Sequence, residues 1–133
     1  MQVDIRLWAS AAIVVASMSV PAGTSAHHSV SGQFDTEDRI TLNGVISKID
    51  WINPHIYVHL DVEDESGETV TWRLETVPPS YLYRAEVTPD MLKGSGKPVR
   101  IEALQAHDKN AHLGFIIKIH YAEGHSYQLS ADN

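Results

Sequence analysis

From residue 55 to 63, HIYVHLDVE, apolar and polar positions alternate without a break. Ile56, Val58, Leu60 and Val62 share one face, and His55, Tyr57, His59 and Asp61 share the other, which is the period-two signature of a half-buried strand. The turn DESG follows, and residues 69–76, TVTWRLET, alternate again, with Val70, Trp72 and Leu74 inward and Thr71, Arg73 and Glu75 outward. Two such strands can share one core only if facing residues have numbers with an even sum. That parity sets 61 opposite 71, 59 opposite 73 and 57 opposite 75, with Gly67 closing the loop in a left-handed conformation.

Elsewhere the same rule gives strands at 40–50 (ITLNGVISKID, with Gly44 as a bulge candidate), 99–105 (VRIEALQ), 113–121 (LGFIIKIHY) and the short YQL. Between the third and fourth strands the alternation stops. PPSYLYRA predicts a short helix with Ser80 as N-cap, and TPDML a second helical turn with Thr88 as cap and Pro89 at its first position. The order β-β-β-α-β-β predicts a mainly β fold. It is that of a small five- to six-stranded OB-like Greek-key barrel with one short helical segment after strand 3, and a two-sheet sandwich is the competitor.

The first residues follow a different pattern. MQVDIR is followed by the apolar run LWASAAIVVASMSV and then by PAGTSA, a breaker with small residues. That is the order of a secretory signal peptide. The run is about 14 residues, short of the roughly 20 that span a bilayer, so no stable membrane span is expected after processing. The expected organisation is a cleaved signal peptide at 1–26, an N-terminal arm at 27–39 and the barrel domain at 40–130, with export to the periplasm. Small residues at −3 and −1 fit cleavage after Ala26, which leaves His27 first, or after Ala22, which leaves Gly23; the first is favoured.

Among 133 residues there are 17 Asp and Glu against 10 Lys and Arg, a net charge of −7, and cleavage would remove only Asp4 and Arg6 from the charged set. Such an acidic chain is repelled by phosphate backbones, so no nucleic-acid partner is expected. There is no cysteine, which excludes disulfides and thiolate metal sites. All eight histidines lie after residue 26, and neutral imidazoles are metal ligands.

If His27 becomes the first residue, its free amine and ring nitrogen can chelate one ion, with a third nitrogen completing a histidine brace. An all-nitrogen tetragonal set suits Cu(II). His28 is the neighbour, His55 the preferred partner from the sheet, and Glu75 an axial ligand or an acceptor behind one. His55 and His59 cannot share an ion, since four residues on a strand span about 13 Å at ~3.3 Å each. Tyr57, His59, Thr71 and Arg73 make the outer face of the second and third strands, the usual ligand surface of such barrels, or else a solvated face of cross-strand pairs. Asn53-Pro54-His55 sets how the second strand begins. His107 and His112 form a weaker second candidate, and His120 and His125 read as surface residues. GKP and GSG are too short for a phosphate loop, and no serine sits in a nucleophile elbow.

The stretches AHHSVSGQFD, LNGVISKIDWINPHIYVHLDV, GETVTWRLE and TPDMLKGSGKPVRIEA resemble a widespread family of small exported bacterial proteins of unknown function. Its marks are an A-H-H-S start, an N-P-H segment and a Trp-x-x-Glu strand. The resemblance implies export and an OB-like barrel, and reaches His27, His28, Asn53, Pro54, His55, Trp72 and Glu75. The sequence departs from that pattern at RAEVT, where Glu86 and Val87 stand for Gly and Trp, and near Asn110, where a Gly is missing.

Together these readings point to an exported metal-binding accessory protein, for copper, rather than to an enzyme. The alternative is a metal-free module binding a small ligand or a protein partner, such as an exported oxidoreductase. Copper-dependent oxidation is a third class with less behind it.

Overall fold

A computed structural model describes residues 27–130. In chain order the elements are α1 (His27–Gln33), β1 (Phe34–Asp50), β2 (Tyr57–Glu63), β3 (Thr69–Glu75), α2 (Pro79–Arg84), α3 (Pro89–Lys93), β4 (Val99–Ala106), β5 (Leu113–His120) and β6 (Ser126–Gln128). The strands form one sheet in the order β3-β2-β1-β4-β5-β6, and a parallel pairing of β3 with β5 closes five of them into a ring, with β6 attached to β5. This is the mainly β, OB-like Greek-key arrangement that the element order predicts, with the helical interruption after β3.

The hairpin has the register that parity requires. Asp61 faces Thr71, His59 faces Arg73 and Tyr57 faces Glu75. Gly67 closes the turn at φ 84, and the Asp64 carboxylate accepts from the Ser66 and Glu68 amides. Inward residues of every main strand meet in one core, including Ile46, Val58, Leu60, Leu74, Ile101, Ile116 and Ile119. Burying each of the larger ones stabilises the fold by about 1.5–3 kcal/mol.

β1 begins at Phe34, six residues before the strand read from the sequence, because FDTEDR lacks the alternation that marks its later part. It serves two partners: Arg39 to Gly44 pair with β4, and Val45 to Asp50 with β2. Gly44 stands where the partner changes, and a Cβ there would lie 2.2 Å from the Asp61 carbonyl oxygen. The bulge expected at Gly44 falls instead at Ser47, the residue skipped between the Ile46 and Lys48 pairs.

Thr88 caps α3 by accepting from the Met91 amide, with Pro89 at the first position. α2 starts two residues earlier than expected, so Pro78 rather than Ser80 is its cap residue, without a side-chain bond. Glu86 has φ 58, in the left-handed region, and Val87 is buried in the core. Among the described residues no helix is long and apolar enough to cross a membrane.

Candidate functional site

Strand parity places Arg39, Leu104, Phe115, Glu75 and Tyr57 in one row around the outside of the barrel. Arg39 faces Leu104, Leu104 faces Phe115, Phe115 faces Glu75, and Glu75 faces Tyr57. Outward positions on β4 and β5 further along carry charge, such as Glu102 opposite Lys118. Leu104 and Phe115 are apolar at the corresponding positions. Ile117 joins them because β5 bulges there, skipping one residue between the Lys118 and Ile116 pairs. Its side chain is 2 % exposed yet lies outside the barrel core cluster.

Above this apolar strip lies a cavity of about 510 Å³. Leu104, Phe115, Ile117 and Leu129 form its apolar wall, Val77 and Pro78 flank it, and Val30 and Ser31 of α1 cover it. The register slips between Phe34 and Arg39, and this excursion of β1 brings Thr36 to the rim. α1 is held down by His107, whose amide donates to the Gln33 carbonyl and whose Nε2 lies 3.1 Å from the Ser31 carbonyl. Phe34 packs beneath it against Phe115, ring centroids 5.7 Å apart.

The polar lining is sparse: Arg39, His55, Thr76 and a few serine and threonine hydroxyls. His55 Nδ1 lies 2.5 Å from Oε1 of Glu75, a residue only 9 % exposed although it sits on the outward face. A carboxylate can only accept, so Nδ1 carries the proton of this contact and Nε2 of a neutral ring keeps its lone pair. Thr76 is fully buried, and its hydroxyl has no hydrogen-bond partner among the described residues.

The remaining candidates of the hairpin face pair among themselves. Arg73 lies over the Tyr57 ring, 3.7 Å from its centroid. Thr71 donates to Asp61 at 2.6 Å, and His59 Nε2 lies 2.7 Å from Asp50 Oδ2. Asp50 also takes Lys48, and chiefly that contact, then His59, holds its carboxyl below the ordinary 3.8. His55 and His59 thus stand apart on separate carboxylates. His27 and His28 open α1, and their side chains lie outside the described residues, as does the proposed signal peptide. His112 stacks edge-on against Trp72, His120 meets Glu102, and His125 stacks on Tyr121. Among the described residues no three His, Asp or Glu side chains are gathered as a metal-binding group.

Sequence reasoning missed the cavity wall. The signal was present: FII in β5 and Leu104 in β4 put apolar residues on both faces of strands whose outer face is elsewhere charged, which marks burial on both sides.

No curated protein and no solved structure matches this chain at a significant level. Residues 12–115 match a family of unknown function, DUF6152. Because that match covers most of the sequence, the chain belongs to the DUF6152 family.

Proposed function

We propose that the mature protein is an exported, periplasmic metal-binding accessory protein that holds copper through His27 and His55. The observation that carries this reading is the His55–Glu75 pair. A nearly buried carboxylate fixes one ring nitrogen and leaves the other as a ligand, the usual arrangement behind a metal-bound histidine. Glu75 is then the acceptor behind His55 rather than a ligand. A second observation supports it: α1, which begins at His27, lays Val30 and Ser31 over the cavity that His55 lines. That cover supports a reading in which the N-terminal histidines act together with His55. The role is to carry the ion to an exported partner, such as an oxidoreductase, and no substrate chemistry is needed.

The test is a chelator-competition titration of Cu(II) on protein that begins at His27. One tightly held ion per chain is expected, lost on His55→Ala and on adding one residue before His27. Glu75→Gln should weaken it by about 10–100-fold. Copper retention unchanged by both the extension and His55→Ala would overturn the proposal, as would export of a chain that begins at Gly23.

A further inference from the structure

We infer that the cavity between α1 and the β4–β5 wall binds a small organic acid with an apolar body. This site is separate in chemistry from the copper proposal, although His55 lies on its edge. Three observations converge. The volume, about 510 Å³, falls in the range of pockets that enclose small ligands. The wall is apolar where the strand pattern calls for charge, through Leu104, Phe115 and Ile117. The lining is also selective in charge. The chain carries 17 acidic residues and a net charge of −7, yet among the described residues no carboxylate lines the cavity, and Arg39 is the one permanent cation that does.

Position turns these into a ligand class. Arg39 faces Leu104 in the β1–β4 ladder, so its side chain leaves the backbone one strand, about 4.8 Å, from Leu104 of the apolar wall. A molecule lying along that row meets a cation at one end and Leu104, Phe115 and Ile117 along its length. Arg39 keeps an interaction of its own, but a guanidinium has five donors and can hold a second acceptor. The Thr76 hydroxyl at the wall, buried and without a partner among the described residues, is a polar group that a ligand oxygen would satisfy after a rotation about χ1. Neutral apolar molecules would leave Arg39 and Thr76 unused, which is why an acid is the class assigned.

The experiment uses mature protein kept in a chelator, so that it can fail while the copper reading stands, and the reverse. The probe is 1-anilinonaphthalene-8-sulfonate, followed by fluorescence and displaced by octanoate or by octanamide. One probe per chain is expected, with octanoate competing about tenfold better than octanamide or more. Arg39→Gln should erase that preference. Leu104→Trp, which fills the cavity, should abolish probe binding, and Ser31→Trp on the exposed cover gives a blocking variant that leaves the barrel core untouched. Equal competition by acid and amide would overturn the inference. So would undiminished binding in a folded Leu104→Trp or Ser31→Trp protein, since the probe would then sit elsewhere.

Discussion

Two outer surfaces of this barrel share β3 and differ in how they use their polar groups. On the hairpin face, most of the polar side chains that point away from the core have a neighbour within reach: Arg73 on Tyr57, Thr71 on Asp61, His59 on Asp50. Around the ring, where β3 meets β5, the outer positions turn apolar, a cavity opens, and a buried hydroxyl on Thr76 has no partner among the described residues. A face whose groups satisfy one another gains stability and has little left to offer a ligand. A face with a half-open cavity and an unmatched hydroxyl gives up stability, and that deficit is what a ligand can relieve. Tyr57 opposite Glu75 is the point where one regime passes into the other.

Leu74 is the common support of both surfaces. It is 0 % exposed, and its neighbours Arg73 and Glu75 point outward on either side of it. Leu74→Ala should lower stability by about 2–5 kcal/mol in urea denaturation and loosen both surfaces together. A loss confined to one surface would mean that they are not mechanically joined through β3.

The same substitution at two threonines sharpens the contrast, because its sign should reverse. Thr76→Val replaces a buried hydroxyl that has no partner among the described residues by a methyl group and should stabilise by about 1–2 kcal/mol. Thr71→Val breaks the exposed bond to Asp61 and should cost about 0.5–1 kcal/mol. Thermal melts of the two variants side by side decide it, and two changes of the same sign would remove the distinction between the surfaces. Arg73→Ala should cost about 0.5–1 kcal/mol through loss of the contact with Tyr57, with little effect on the cavity probe.

The smallest effect concerns acid. Asp50 is held below 3.8 chiefly by Lys48 and then His59, and Asp64 in the hairpin turn chiefly by the Ser66 hydroxyl. A carboxyl with a lowered folded value favours folding above its ordinary value, and that contribution disappears as the pH falls through the folded value. The hairpin should therefore weaken below about pH 4. Asp50→Asn should flatten part of that acid limb in a pH titration of stability, and an unchanged limb would show that other carboxylates carry it.

Alternation made the hairpin legible in full, because two strands that must face one core leave a single parity, and the observed register follows it. The α3 cap was equally plain, since Thr88 and Pro89 act within one turn. The cavity was not, and the reason is physical. Whether Phe115 or Ile117 points inward depends on the bulge in β5, and a bulge is a relation to β4 that a single strand does not carry. The start of β1 was hidden for a similar cause: Asp35 and Asp38 reach Lys109, a contact across the fold rather than a local pattern. The His55–Glu75 pair stood between these cases. The outward face held both residues, but Glu75 becomes nearly buried only when β5 closes against β3.

The long strand that changes partner at Gly44 bears on how the chain reaches and keeps this state. One half of β1 is zipped to β2, a near neighbour in sequence, and the other to β4, more than fifty residues away. The local hairpin therefore cannot mature alone, because half of its central strand stays an open edge until the distant segment arrives. Folding should be a single slow event governed by that long-range closure, and not a sequence of separable ones. In hydrogen exchange, the β1 amides on both sides of Gly44 should open together, at the free energy of unfolding the whole barrel.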